Sequence, residues 1–109
     1  MQKSSLTALA REQLEAAGRA SSGRSAKTVY GGNEKRLRQT VITMLAGQSL
    51  AEHENPGEAT LHVLSGRVRL ATADASWEGR AGDLITIPDA THSVEALDDS
   101  AFLLTVAKT

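Results

Sequence analysis

From about Ala26 to the end, the chain breaks into short extended runs separated by turn residues, and no run keeps helical spacing. The runs fall near residues 26–30, 37–45, 59–64, 67–71, 76–78, 83–87, 92–96 and 101–106. The breaks between them hold Gly31-Gly32, Gly47, Pro56-Gly57, Ser65-Gly66, Gly79–Gly82 and Asp98-Asp99. Many short strands at fairly even spacing without intervening helices predict an antiparallel sandwich or barrel. The expected fold class is therefore all-β.

The first 25 residues read differently. Leu6, Leu9, Ala10, Leu14 and Ala17 follow helical spacing, Ser4 or Ser5 can cap the start, and Gly18 suits the stop. A helix is predicted over 5–18, then a linker from Gly18 to Ser25 of mobile composition. Residues 1–25 thus form a helical arm and linker, and 26–109 the β domain. A chain of 109 residues accommodates one such domain.

Composition narrows the function classes. Only Tyr30, Trp77 and Phe102 are aromatic, so the core must come from Leu, Val, Ile and Ala. So few rings give no platform for stacking bases, which argues against single-stranded nucleic-acid binding, and scattered basic residues with no helix-turn-helix after them argue against a nucleic-acid-binding arm. The absence of cysteine removes disulfides, thiolate metal sites and cysteine nucleophiles together. No apolar run approaches the ~20 residues that span a bilayer, and no apolar block precedes a cleavage-like site. A cytoplasmic protein that does not engage membranes is expected.

Charge is segregated along the chain. Residues 1–40 hold eight basic and three acidic side chains, whereas 41–109 hold four basic and ten acidic. The favoured reading is a solvated basic arm ahead of an acidic domain. A sharper one packs the arm against the acidic domain of its own or a neighbouring subunit, with electrostatics helping to set register. Small size and an isolated amphipathic helix both favour a homodimer.

Between Gly47 and His92 the residues resemble the two motifs of the cupin superfamily. The first motif runs Gly, five residues, His-x-His, three or four residues, Glu, six residues, Gly. Here Gly47, His53 and Gly66 keep those spacings, while Asn55 stands at the second His and Ala59 at the Glu. The second motif runs Gly, five residues, Pro, a small turn and His. Gly82, Pro88 and His92 follow it, with a turn one residue short and Ala90 at the usual glycine. The resemblance covers about residues 37–106. It implies a double-stranded β-helix, or jelly-roll, in which His53 and His92 approach one another inside the barrel.

Many cupins hold a divalent metal such as zinc, manganese, iron or nickel through three His and one Glu, and this chain keeps His53 and His92 of that set. Two imidazoles make a weak site, since a held divalent ion usually has at least three protein ligands. Asn55 could add a carbonyl oxygen. Glu58 sits one position before the missing Glu, and a one-residue bulge could aim it inward. The candidate ligand-binding set is therefore His53, Asn55, Glu58 and His92, with His53 and His92 as candidate metal ligands. The alternative is that both histidines are hydrogen-bonded pocket groups without metal.

Strand parity separates the third histidine. If position 59 faces the cavity, so do Leu61 and Val63, and His62 lies on the outer face or at a subunit contact. One of Arg38 and Gln39 must face inward, where it could meet an anionic ligand. Trp77 reads as a packing anchor and Met44 as core. No Ser-His-Asp arrangement or phosphate loop is present. The resulting expectation is a small single-domain cupin that binds a small molecule, whether or not it is an enzyme. The alternative is a non-catalytic regulatory or structural dimeric cupin without metal.

Overall fold

The computed structural model describes residues 1–53 and 57–108, apart from the side chains of residues 52 and 53. One helix, α1 (Leu6–Arg19), precedes nine strands: β1 (Arg24–Tyr30), β2 (Leu37–Met44), β3 (Ser49–His53), β4 (Gly57–Ser65), β5 (Arg67–Ala71), β6 (Ser76–Arg80), β7 (Leu84–Thr86), β8 (His92–Ala96) and β9 (Ser100–Lys108). They form a five-stranded sheet, β1-β2-β9-β4-β7, and a four-stranded sheet, β3-β8-β5-β6. The described pairings are antiparallel. The protein is all-β with one helix. Its two sheets remain separate ladders rather than one closed barrel.

Side-chain alternation decides what each strand buries. Along β4, Ala59, Leu61 and Val63 are buried, and along β5 Val68 and Leu70 are fully buried. From β2 and β9, Met44, Phe102 and Val106 meet them in one apolar cluster that also holds Ile87, Val94 and Ala96. Of the three Phe, Tyr and Trp side chains only Phe102 lies in this core, because Tyr30 and Trp77 stand 48% and 45% exposed. Trp77, expected as a packing anchor, lies on the edge strand β6.

The helix starts where the sequence caps it: Ser5 Oγ accepts from the Ala8 amide at 3.2 Å. Arg19 in the last turn suits the negative end of the helix dipole. α1 packs across the outer face of the larger sheet, over β1, β2, β9 and β4. Ala10 and Ala17 are buried in that contact, and so are Val41, Leu103 and Thr43 beneath it. A hydroxyl pair fastens it. Ser25 Oγ and Thr43 Oγ1 lie 2.6 Å apart and reach the Gln13 carbonyl oxygen at 2.7 and 2.9 Å.

Among the described residues no ion pair joins the helical arm to the sheets. The ion pairs among the described residues join Arg67 to Asp98 and Arg69 to Glu78 and Glu95, all on the smaller sheet or its adjoining turn. The segment after the helix is a compact turn through Gly23, whose amide bonds to the Ala20 carbonyl at 3.0 Å. No described helix is long and apolar enough to cross a membrane.

Three motif glycines have a backbone reason. Gly47, Gly66 and Gly82 adopt φ of +89°, +79° and +93°, a region that L side chains rarely enter. They sit at turns before β3, between β4 and β5, and before β7. The motif spacing therefore reports where the chain must reverse.

Candidate functional site

Two connections pass between the sheets at the same end of the sandwich. One leads from β3 to β4 and the other, residues 87–91, from β7 to β8. They carry the motif histidines to that end. His53 closes β3, His92 opens β8, and the two are register partners in an antiparallel ladder. Facing residues in such a ladder have Cα atoms roughly 4.5–5.5 Å apart. Separated by 38 intervening residues in sequence, the pair is brought together by tertiary structure alone.

His92 is 1% exposed and shares its strand face with Val94 and Ala96, so its ring lies inside the sandwich. Its Nδ1 is 2.9 Å from the Ala90 carbonyl oxygen. A carbonyl oxygen only accepts, so Nδ1 carries the proton and donates. In the neutral ring this leaves Nε2 as the atom with a lone pair.

The facing sheet supplies an apolar wall. Ala59, Ile87 and Val106 are 6%, 7% and 4% exposed, and the Ile87 amide donates to the Ala59 carbonyl at 3.0 Å. Ala59 pairs with Val106, which pairs with Arg38 on β2. Arg38 alternates with Gln39 and shares its face with Thr40, Ile42 and Met44, the last two in or against the core. Arg38 is thus the inward member of the Arg38–Gln39 pair, half-buried at this end. Gln39 turns outward, where its Nε2 donates to Thr105 Oγ1 at 3.2 Å.

The other expected residues fall elsewhere. Glu58 is exposed and pairs with Ala107, one step out of phase with buried Ala59. The bulge in β4 comes between Val63 and Ser65, so it does not turn Glu58 inward. His62 alternates with buried Leu61 and Val63 and lies half-buried on the outer face. Asn55 lies outside the described residues.

The described residues supply no carboxylate at the position where the family pattern has one. The family position for the carboxylate is filled by a methyl group, that of Ala59, packed in an apolar wall. Among the described residues no three His, Cys, Asp or Glu side chains converge.

A two-sheeted antiparallel sandwich with paired histidines at one end and glycine-marked reversals defines the class of small cupin-type domains. The family comparison agrees: the cupin-domain model matches residues 40–107, and the chain belongs to the cupin family. Among solved structures it is similar to a conserved protein of unknown function from Streptococcus pyogenes, at 24% identity and TM-score 0.74, covering 83% of this chain and 78% of that one. It is also similar to a cupin superfamily protein from Desulfitobacterium hafniense, at 15% identity and TM-score 0.72, covering 79% and 78%. A third, the DMSP lyase DddQ from Ruegeria pomeroyi, shares 19% identity and TM-score 0.67, covering 77% of this chain and 46% of that one. Likenesses at these identities speak to fold. No curated protein matches the chain.

Proposed function

We propose that this cupin binds a small molecule bearing an anionic group, such as a carboxylate, in the space between its sheets at the His53–His92 end. The observation that carries the reading is His92, a ring 1% exposed in an apolar core, at the same end as the inward-facing Arg38. Arg38 forms no ion pair among the described residues, so its guanidinium can take a carboxylate in a two-point contact. His92 then meets a polar atom of the ligand, and Ala59, Ile87 and Val106 hold its apolar part.

The strand order β2-β9-β4-β7 opposite β3-β8-β5-β6 supports a jelly-roll reading of the fold. A second reading, a non-catalytic regulatory or structural module without metal, is favoured by the Ala59 methyl where the family pattern has its carboxylate. Both readings place the protein in the cytoplasm.

A panel of small carboxylates, each beside its neutral amide, tests the proposal by thermal shift and calorimetry. At least one carboxylate should raise Tm while its amide does not. Arg38→Gln should weaken that binding about 10–100-fold, the worth of a hydrogen bond to a charged group. If acids and amides bind alike, or Arg38→Gln binds as wild type does, Arg38 is not the anion contact. Elemental analysis of untagged protein addresses metal separately: a stoichiometric divalent ion whose chelation lowers Tm would overturn the metal-free reading.

A further inference from the structure

We propose that the cleft at the β6–β7 edge of the sandwich binds a small organic cation, an ammonium ion with an apolar body, and that Trp77 is its platform. The proposal is independent of the anion placed at the His53–His92 end, because β5 stands between β6 and the strand that carries His92.

β6 and β7 are the edge strands of the two sheets, and they meet across the sandwich. Trp77 pairs with Leu70, which is fully buried, and residues opposed in a ladder share a face. Gly79, two residues on, lies on that same face, where an added Cβ would come within 2.9 Å of Ile85 Cδ1 and 3.1 Å of Val63 Cγ2. The indole therefore projects from the inner face of its sheet, as core residues do. Yet it is 45% exposed, because the opposing edge strand, β7, is three residues long and does not cover it.

Between the two edges lies a cleft of about 420 Å³, lined by Trp77, Glu78, Asp83, Leu84, Ile85 and Thr86. That volume is in the range of small-molecule sites. Ile85 packs against the core from one side, while Leu84 is 63% exposed. Exposed apolar groups gathered in one concavity are a feature of ligand grooves.

The charge in the cleft has one sign. Its lining holds two carboxylates and no Lys, Arg or His. Glu78 is already held by Arg69, at 3.2 Å. Asp83 Oδ2 accepts from the Arg80 amide at 2.8 Å, but the carboxylate forms no ion pair among the described residues. Arg80 alternates with inward Gly79 and pairs with Arg67, so its side chain turns to the outer face, away from the cleft.

An unpaired negative charge and a half-exposed indole thus share one concavity. Tryptophan attracts cations over its ring more strongly than the other aromatics do, and a neighbouring carboxylate adds to that attraction. An anion would meet Asp83 as a like charge. A neutral apolar molecule would leave the carboxylate unused. The ligand that uses every wall is a cation over Trp77 and beside Asp83, its apolar body against Leu84 and Ile85.

Trp77 is the only tryptophan of the chain, so its emission reads the cleft directly. The full chain is titrated at constant ionic strength with choline and with butylammonium, each beside its uncharged counterpart, dimethylbutanol and butanol. At least one cation should change the emission saturably and bind at least about 10-fold more tightly than its counterpart. Asp83→Asn keeps an oxygen for the Arg80 amide and should weaken that cation about 2–5-fold while leaving the alcohol unchanged. Trp77→Leu, followed by amide chemical shifts in 84–86 for want of an indole, should lose the cation, with circular dichroism confirming that it folds. Emission that neither cation changes saturably overturns the proposal. So do equal affinities for cation and alcohol, wild-type cation binding by Asp83→Asn, or shifts that persist in Trp77→Leu.

Discussion

Gly66 and Gly82 offer a matched pair for measuring how tightly the two sheets are joined. Both have positive φ, +79° and +93°, so alanine strains either backbone by roughly 1–2 kcal/mol. Their surroundings differ. Around Gly82 a methyl group would meet nothing within 4 Å. At Gly66 it would overlap the Asp99 carbonyl oxygen and Ser100 Oγ and come within 2.8 Å of Ser100 Cα. Ser100 Oγ cannot simply move aside. It accepts from the Arg67 amide at 2.9 Å and lies 2.7 Å from the Asp98 carbonyl oxygen, its acceptor. Displacing it forfeits one or two buried hydrogen bonds at about 1 kcal/mol each, with further strain as β9 shifts. Gly66→Ala should therefore cost about 3–5 kcal/mol and Gly82→Ala about 1–2 kcal/mol. For a domain of this size the gap corresponds to Tm values roughly 8 °C or more apart. Urea unfolding followed by circular dichroism measures both. Costs within about 0.5 kcal/mol of each other would show that the β4–β5 turn yields freely against β9, and the argument from close packing would fail.

Other perturbations test the remaining contacts. Phe102→Ala removes the largest fully buried side chain and should cost about 3–5 kcal/mol in urea unfolding. Thr43→Val keeps the shape but loses the contacts to Gln13 and Ser25; it should cost about 1–2 kcal/mol and speed amide exchange in 6–19 ahead of the sheets. Arg69→Ala breaks pairs to Glu78 and Glu95, whose side chains are 46% and 48% exposed. It should cost less than about 1 kcal/mol, shrinking further in high salt.

Much of this fold was legible in local pattern. The runs at 67–71 and 92–96 coincide with β5 and β8, and the helix predicted over 5–18 spans 6–19. Parity alone placed His62 away from the core, because strand alternation is a property of the backbone. Strand β3 escaped notice. Its sequence, Ser-Leu-Ala-Glu-His, holds one large apolar residue, Leu50, and pairs only with β8, so its extended form depends on that neighbour. The linker from Gly18 to Ser25 read as mobile from composition, yet the helix continues to Arg19 and β1 begins at Arg24. Backbone bonds from Gly23 to Ala20 and from Leu45 to Gly23, with the pairing of β1 to β2, order it although most of its residues are exposed.

Sequence alone determined which segments extend, where the chain reverses and which residues of a strand share a face. Those properties arise from dihedral preferences and side-chain period within a few neighbouring residues. Only the tertiary structure decided which strands pair. It set Arg38 against Val106, so that Arg38 and not Gln39 turns inward, and it set His53 opposite His92 across 38 intervening residues. Such pairings are chosen by which apolar faces can be buried together once long loops close, a balance taken over the whole chain.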